Sequence, residues 1–281
     1  MKRIVSAILL ICLTVSLFAC QQSYTPDFDA VSAGVTVDVL NVGNADSILI
    51  RSNGEAMLID GGETATTEYV LEFLEKHEIF KLDYLIATHP HTDHIGGLIG
   101  VAEKIEIGQL IMPKVEHATR TYEKFIDTLI AKEVKAVVPV VGEKYAIGNA
   151  EFVILAPNSD TYKNLNDYSV VIRLVYENTS FLFTGDAESV SENEIIDNNL
   201  TLSSDFLKVG HHGSDTSSKK RFLQEIRPKF AVISTDGGKA PSDKVLQRLR
   251  EVGAEVYRTD VNGIVTAISD GNNITISTEK Q

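Results

Sequence analysis

Thr88-His89-Pro90-His91-Thr92-Asp93-His94 contains three of the seven histidines of the chain and follows the predominantly apolar run from Leu82 to Ala87. A buried strand that ends in a turn can direct closely spaced imidazoles and a carboxylate to one point, and this ligand mix suits zinc and similar divalent ions. A histidine-rich surface turn is the alternative. We favour a metal site, because further residues of the metal-binding types follow later predicted strands.

Three other polar motifs each follow a run of strand-forming residues. They are Asp60-Gly61-Gly62 after Ala56 to Ile59, Thr184-Gly185-Asp186 after Ser180 to Phe183, and Gly210-His211-His212-Gly213-Ser214 after Phe206 to Val209. Helical patterns alternate with the strands, as at Thr64 to His77, Thr121 to Lys132 and Asp243 to Val252. The sequence therefore predicts one α/β domain of layered sheets over residues 35–281, with its polar groups at strand ends.

The first twenty residues differ in composition from the rest of the chain. Lys2 and Arg3 precede an apolar segment that is too short for a membrane span and predicts a secretory signal. The end of this segment, Leu17-Phe18-Ala19-Cys20, resembles a bacterial lipoprotein signal, in which the cysteine receives the lipid. Phe18 departs from the usual small residue, so cleavage without lipid is the alternative. We expect a signal peptide at residues 1–20, a polar linker at 21–34, and secretion across the cytoplasmic membrane with a lipid anchor on Cys20.

The 281-residue chain carries a formal net charge of −13, which limits its partners. Such a surface repels polyanions on average, so we expect no stable nucleic-acid complex, although metal ions can offset the charge locally. One basic neighbourhood surrounds the histidine pair at 211 and 212 and consists of Lys208, Lys219, Lys220 and Arg221. It is either a contact for an anionic substrate or the solvated start of a helix. No protein partner can be identified from the sequence.

In their order, these motifs resemble the metallo-β-lactamase superfamily and, within it, the hydrolase domain of the ComEC/Rec2 competence proteins, over residues 35–281. The resemblance is carried by Asn41-Val-Gly-Asn-Ala-Asp-Ser47, Leu58-Ile-Asp-Gly-Gly62, Ala87-Thr-His-Pro-His-Thr-Asp-His-Ile-Gly-Gly97, Phe181-Leu-Phe-Thr-Gly-Asp186, Leu207-Lys-Val-Gly-His-His-Gly-Ser214 and Tyr257-Arg-Thr-Asp-Val-Asn-Gly263. The resemblance implies an αββα sandwich with two divalent metal ions between the sheets, zinc by preference and manganese as the alternative.

The same resemblance implies roles for individual residues. The implied ligands are His89 and His91 for the first metal, Asp93 and His94 for the second, Asp186 as the bridge, and His211 to complete the second site, with His212 as the alternative to His211. The implied supporting or catalytic residues are Asp60, which orients the histidine loop, Asp93, which orients the attacking water, and His212 and Ser214, which donate hydrogen bonds. Asn166 and Ser169 either hold a water or a substrate oxygen near the first metal, or simply end a loop before a strand.

Two segments depart from the pattern of this group. Asn41 and Ala45 replace an aspartate and a glycine of its first motif, and the segment from Lys239 to Asp243 lacks two histidines, with Ala240 and Ser242 in their place. Many superfamily members also carry a metal-binding histidine between the second motif and the bridging aspartate. The only histidine in that interval is His117, which we interpret as a surface residue, so a true β-lactamase is disfavoured.

The ligand set and the resemblance together predict a metal-dependent hydrolase of phosphodiester bonds, either a nuclease or a phosphodiesterase, that uses a metal-activated water. One alternative is a hydrolase of small or cell-wall esters such as phosphorylcholine esters. The other is a lipoprotein that binds a metal or ligand without catalysis, which the loss of histidines at Ala240 and Ser242 supports.

Overall fold

The computed structural model describes residues 34–280, and fifteen strands in this part of the chain form two sheets. The strands are β1 Val35–Val39, β2 Ile48–Ser52, β3 Glu55–Ile59, β4 Lys81–Ile86, β5 Glu106–Ile111, β6 Ala136–Val137, β7 Lys144–Ile147, β8 Ala150–Ala156, β9 Val171–Tyr176, β10 Thr179–Phe183, β11 Phe206–Lys208, β12 Phe230–Ile233, β13 Glu255–Arg258, β14 Val265–Ser269 and β15 Ile274–Thr278. The first sheet has the order β15-β14-β1-β2-β3-β4-β5-β6, and the second has the order β13-β12-β11-β10-β9-β8-β7.

Helices cover the outer face of each sheet. They are α1 Thr67–Lys76, α2 Thr92–Ile95, α3 Leu98–Lys104, α4 Arg120–Ala131, α5 Ser189–Asp197, α6 Lys220–Ile226, α7 Asp243–Glu251 and α8 Thr259–Asn262. Buried residues of α1 to α4 form one apolar cluster with the first sheet, and buried residues of α5 to α7 form another with the second sheet. The helices predicted around residues 64–77, 121–132 and 243–252 are α1, α4 and α7.

Alternation of apolar residues along the strands explains the layers. In β10, Phe181 and Phe183 belong to the core between the sheets, while Leu182 between them packs toward the helices. Side chains of a strand point to opposite faces in turn, so a strand that is apolar at every position is covered on both faces. The predicted αββα sandwich in a single domain is confirmed.

The signal peptide predicted at residues 1–20 lies outside the described residues, as does the linker predicted at 21–34 except for Gly34. Among residues 34–280, no helix combines the length and the apolar character that a membrane span requires.

Parallel strand pairs bring the polar motifs to one end of the sandwich. Strands β3 and β4 are parallel with Ile59 opposite Ile86, so the loops that follow them leave the sheet side by side. These two loops touch at a pair of glycines, because a Cβ atom on Gly97 would lie 1.9 Å from the carbonyl oxygen of Gly61. Strands β10 and β11 are also parallel and end together. The close contact explains why glycines follow the ligands in both loops.

A buried ion pair joins the two sheets next to this end. Lys208 lies on the same face of β11 as Phe206, which packs between the sheets, and its side chain is fully buried. Its Nζ atom lies 2.8 Å from Oδ2 of Asp46, which is 1% exposed and precedes β2 in the first sheet. A charge buried without its partner is strongly unfavourable, so each of these residues depends on the other.

We expect Lys208→Met to lower the free energy of unfolding of the metal-free protein by about 3 to 5 kcal/mol, since Asp46 would remain buried without a counter-charge. The double variant Asp46→Asn/Lys208→Met should lose less than Lys208→Met alone. Denaturant titration measures both values. Lys220→Met is the control, because solvent screens its exposed ion pair with Glu251 and such pairs contribute little to stability. Equal losses for the single and double variants would contradict the pairing.

Glu192 of α5 holds the start of α6. Its carboxylate accepts the backbone N–H groups of Ser218 and Lys219, and burial raises the pKa of Glu192 to about 7 although these hydrogen bonds oppose the shift. In the unfolded chain a glutamate titrates near 4.5. The folded protein therefore binds a proton more tightly at Glu192, and it loses stability as the pH rises through this interval.

Between about pH 4.5 and about pH 7, Glu192 should remove about 3 kcal/mol from the free energy of unfolding. Glu192→Gln cannot ionise, so the stability of this variant relative to the original protein should increase over the same pH interval. Urea unfolding of both proteins at several pH values gives the difference. Glu225→Gln, at an exposed position of α6, is the control, and a difference that does not change with pH would exclude ionisation of Glu192 as the cause.

Candidate metal centre

The implied ligands come from loops that follow β4, β10 and β11, and the fold places them around Asp186. Oδ2 of Asp186 lies 3.4 Å from Nε2 of His94, 3.7 Å from Nε2 of His212 and 3.9 Å from Nε2 of His89. All four side chains are almost completely buried. The structure therefore gathers three separate sequence motifs around one carboxylate oxygen.

Asp60, at the end of β3, holds both ends of the histidine loop. Its Oδ1 accepts the backbone N–H of Thr88 at 2.8 Å, and its Oδ2 accepts the Thr88 hydroxyl at 2.7 Å. The same Oδ2 lies 2.7 Å from Nδ1 of His94. Because Asp60 is fully buried, these bonds act in a region of low dielectric constant, where they are strong. The orienting role expected of Asp60 has this geometric basis.

Acceptors at Nδ1 determine which nitrogen of His94 and His212 faces the centre. Nδ1 of His94 faces the Asp60 carboxylate, and Nδ1 of His212 lies 3.1 Å from the carbonyl oxygen of Ser234. Neither acceptor has a hydrogen to give, so in both rings Nδ1 carries the proton. The Nε2 lone pair of each neutral ring is then directed at the centre, as in metal-binding histidines whose other nitrogen is held by a carboxylate or carbonyl.

His89 is oriented in the same way through Thr88. The Thr88 hydroxyl gives its hydrogen to Asp60, so it accepts from Nδ1 of His89 at 3.1 Å. Nε2 of His89 then lies 2.9 Å from Nδ1 of His91. One of these nitrogens donates to the other in the metal-free protein, and a shared ion would replace that proton. This contact fits the expectation that His89 and His91 hold the first metal.

His117 lies beside this pair. Its ring meets that of His91 edge to face, with 5.6 Å between the ring centroids, and the residue is partly buried. His117 is thus a partly exposed residue whose ring also lies against that of His91. Its distance from the strand-end motifs along the chain concealed this contact, because the loop between β5 and α4 returns to the mouth of the site.

The second half of the centre consists of Asp93, His94, Asp186 and His212, whose ligand atoms all lie within 4.8 Å of one another. Nε2 of His94 and Oδ1 of Asp186 are buried without a hydrogen-bond partner among residues 34–280. Buried polar atoms are rarely left unpaired, because they lose their hydration, and a divalent ion would pair both. The donor set of imidazoles and carboxylates also suits such an ion. These residues therefore fit a metal.

His211 stands outside this four-residue group. Its side chain is 29% exposed, and its Nε2 lies 3.8 Å from Oδ2 of Asp186. Of the two alternatives for completing the second site, this geometry favours His212 over His211. The reason is local: both residues adopt left-handed backbone angles, with φ values of 48° and 53°, which direct the second imidazole rather than the first between the sheets.

Burial and the neighbouring charges shift the pKa values of the residues in the centre. Burial would lower the pKa of His94, but Asp186 and Asp60 raise it well above its ordinary value. Burial would raise the pKa of Asp186, but His94 and His212 hold it well below its ordinary value. Burial lowers the pKa of His89 well below its ordinary value, which keeps this ring neutral and able to bind metal.

Asp93 and His212, the implied catalytic residues, are in contact. Nε2 of His212 lies 3.3 Å from Oδ2 of Asp93. Burial would raise the pKa of Asp93, but the neighbouring imidazoles of His212 and His94 lower it. The Asp93 side chain is 28% exposed, whereas that of Asp186 is 2% exposed. Asp93 is therefore the carboxylate of the group that solvent reaches.

Ser169 and Asn166 do more than end a loop. Oγ of Ser169 accepts the backbone N–H of Asp186 at 3.0 Å, which fixes the position of that residue. The Asn166 amide donates to Oε1 of Glu188 at 3.0 Å, and its Oδ1 is buried without a partner in the described part of the chain. An unpaired buried oxygen at this position favours contact with a water or a substrate over a purely structural role.

Ser214 and the divergent segment lie around the second histidine loop. Oγ of Ser214 lies 3.0 Å from the hydroxyl of Thr216, which in turn lies 3.0 Å from Nδ1 of His211. The backbone N–H of Ser242 bonds to the carbonyl oxygen of Gly213 at 2.9 Å. The segment that lacks the two histidines of the group therefore touches the metal-binding loop itself.

The basic neighbourhood is not an open anion-binding patch. Lys208 is fully buried against Asp46. The other members are bonded to neighbours: Lys219 to the carbonyl oxygen of Asp215, Lys220 to Glu251 and Arg221 to Asp197. Of the two interpretations of this cluster, the structure favours the solvated helix start.

Thr88, Asp46 and Glu188 belong to the centre or its support, and sequence reasoning assigned none of them a role. Thr88 directly precedes His89, and Glu188 follows Asp186 by two residues. For Thr88 and Glu188, the signal in the sequence was their position within two residues of an implied ligand. Asp46 lies inside the first motif, but its partner Lys208 is 162 residues away in the sequence, so no local pattern revealed the pair.

Asp60→Asn should weaken metal binding by about 10- to 100-fold. The amide places an N–H group where a carboxylate oxygen accepted from His94, so the His94 ring would transfer its proton to Nε2 and lose the lone pair that faces the centre. Metal titration and the metal content per chain measure the change. Asp83→Asn is the control, since Asp83 accepts from the backbone of Ala56 away from the centre. Unchanged affinity in Asp60→Asn would remove Asp60 from the support of the site.

The family model described as the metallo-beta-lactamase superfamily matches residues 40–237, which include every residue of the metal centre. Among solved structures, the metallo-beta-lactamase fold protein YhfI from Bacillus subtilis has a TM-score of 0.56 and 14% identity, over 87% of this chain and 100% of that chain. A likeness at this identity supports the fold alone.

Two curated relatives extend the comparison. ComE operon protein 3 of Bacillus subtilis is 29% identical over 261 residues, which cover 85% of this chain and 33% of that protein. Recombination protein 2 of Haemophilus influenzae is 32% identical over 267 residues, which cover 92% of this chain and 31% of that protein. The chain thus spans about a third of the length of these relatives, and they confirm the resemblance to the ComEC/Rec2 group. Since the family model covers most of the chain and all its ligands, the chain belongs to the metallo-β-lactamase superfamily.

Proposed function

We propose that this superfamily hydrolase is a metal-dependent phosphodiesterase with two divalent ions, zinc by preference and manganese as the alternative. The observation that carries the proposal is the group formed by Asp93, His94, Asp186 and His212 beside the His89 and His91 pair. Divalent ions held there would supply a water that is nucleophilic near neutral pH, and positive charge for the attacked phosphoryl group.

The residues around the ions have distinct tasks in this proposal. Asp93 is the solvent-accessible carboxylate of the group, so it can orient the attacking water and accept its proton. His212 has its Nδ1 proton engaged with Ser234, which holds the ring in place. Oδ1 of Asn166 has no partner among the described residues and is free to accept a hydrogen bond from substrate or water.

Two observations support the proposed substrate class: the names of the curated relatives and the net charge of the chain. A recombination protein and a competence protein are among the curated relatives, which supports a phosphodiester of a nucleic acid. The net charge of −13 and the paired basic side chains near His211 and His212 support short or single-stranded substrates over tight binding of long duplexes.

We also propose that the reaction takes place outside the cytoplasmic membrane. The support is the signal-like composition of residues 1–20, with Cys20 as the residue that would carry a lipid. A lipid on Cys20 and the polar residues from 21 to 34 would then hold the catalytic domain close to the membrane surface.

The test is hydrolysis of bis(p-nitrophenyl) phosphate and of single-stranded DNA by purified protein whose metal content has been measured. We expect turnover that requires zinc or manganese and that falls by at least about 100-fold in His89→Ala. Glu225→Ala, at an exposed position of α6, should retain full activity.

Two bound metals without hydrolysis of either substrate would refute the phosphodiesterase. Hydrolysis of a phosphorylcholine ester in the same assay would then identify the ester hydrolase considered above. Bound metal with no turnover of any of the three would identify a binding protein.

A further inference from the structure

Glu188 stands at the mouth of the metal centre without a structural task that its position in the chain explains. It directly precedes α5, where a side chain often caps the helix, but its carboxylate makes no capping hydrogen bond within the described residues. Asp167 caps α5 instead, since its Oδ1 lies 3.2 Å from the backbone nitrogens of both Glu188 and Ser191. The Glu188 carboxylate is therefore free for another contact.

One oxygen of that carboxylate contacts two side chains of the site. Oε1 of Glu188 lies 3.0 Å from Nδ1 of His211 and accepts the Asn166 amide at 3.0 Å. The Glu188 side chain is 15% exposed, so water competes only weakly for these bonds. Within residues 34–280, no other carboxylate forms an ion pair with Nδ1 of His211.

We propose that Glu188 is a positioning residue that acts through His211 and Asn166. The inference extends the proposed function by adding a residue to the substrate side of the same site. Its physical basis is that a carboxylate has no hydrogen to donate, so both neighbours must present hydrogens to it. Nδ1 of His211 then carries the proton, and its Nε2 lone pair faces Oδ2 of Asp186 at 3.8 Å.

The same rule fixes the amide of Asn166. Its nitrogen must face Glu188, so its Oδ1 turns away, and this is the oxygen that is buried without a partner in residues 34–280. Glu188 thus does for His211 what Asp60 does for His94. Two carboxylates, one directly after β3 and one directly before α5, set the direction of two histidines.

Thr216 is the competing explanation, because its hydroxyl also lies 3.0 Å from Nδ1 of His211. A hydroxyl can donate as well as accept, and hydrogen bonds to a charged acceptor are about twice as strong as neutral ones. Glu188 rather than Thr216 therefore determines the His211 tautomer.

The first test reads this tautomer directly in the metal-free protein, by long-range ¹H–¹⁵N correlation spectra of the histidine rings. The spectra are recorded at increasing pH above the ordinary histidine pKa of about 6.5 until the ring signals no longer change, so that only neutral rings are compared. The His211 signal is assigned by its loss in His211→Gln. We expect a proton on Nδ1 in the original protein and in Thr216→Val, and a shift of the proton to Nε2 in Glu188→Ala.

A proton on Nε2 of His211 in the original protein would overturn the proposal. So would an unchanged Nδ1 proton in Glu188→Ala, provided that the signals of His89 and His94 show a folded site. A shift in Thr216→Val but not in Glu188→Ala would assign the role to Thr216 and also reject Glu188.

The second test measures function, and it separates this inference from the proposed activity. Glu188→Ala should reduce phosphodiester kcat/KM by about 10- to 100-fold, which is the usual cost of removing a residue that supports a metal centre. Glu188→Gln keeps an accepting oxygen and should recover part of the loss, and Glu225→Ala should lose nothing. If the original protein hydrolyses no phosphodiester, the proposed function fails, while the tautomer still decides the role of Glu188.

Discussion

The hydrogen bonds of the Asp60 carboxylate are the contacts on which the metal centre depends. One buried group fixes Thr88 and His94 directly and, through the Thr88 hydroxyl, also fixes His89. One side chain at the end of β3 thus fixes the orientation of three side chains in the histidine loop. The tautomers are set before any ion binds, because the acceptors and not the metal choose them. Such an arrangement reduces the reorganisation that binding would otherwise require.

The buried carboxylates of Asp46 and Asp186 have different kinds of partner. Asp46 is neutralised within the protein by Lys208, which crosses the sandwich to reach it. Asp186 faces the imidazoles of His94 and His212, and its Oδ1 lacks a partner within the described chain. A fixed lysine at that second position would exclude an ion, whereas imidazoles can carry a proton in the empty site and release it when a metal binds. Asp46 is therefore paired permanently within the protein. At Asp186, a proton on a neighbouring imidazole can be exchanged for a metal ion.

The sequence predicted the sandwich and the ends of the strands that carry the site, because alternating apolar residues and the motifs after them are local signals. It left His211 and His212 unresolved, since the choice depends on two successive left-handed residues that no periodicity encodes. It did not reveal the contact of His117 with His91, since this contact arises from the path of a loop. Lys208 was grouped with surface bases for a similar reason: its burial follows from strand register and from Asp46, which is distant along the chain.

The ligands differ greatly in how far apart they lie along the chain. His89, His91, Asp93 and His94 lie within a segment of six residues, whereas His212 is 119 residues from Asp93. The short segment retains most of its ligands when the protein unfolds, so the denatured chain also has affinity for the ion. Ligand binding stabilises a fold only to the extent that the native state binds more tightly than the unfolded one. The thermal stability gained from metal will therefore reflect the contribution of Asp186 and His212 far more than that of the histidine loop.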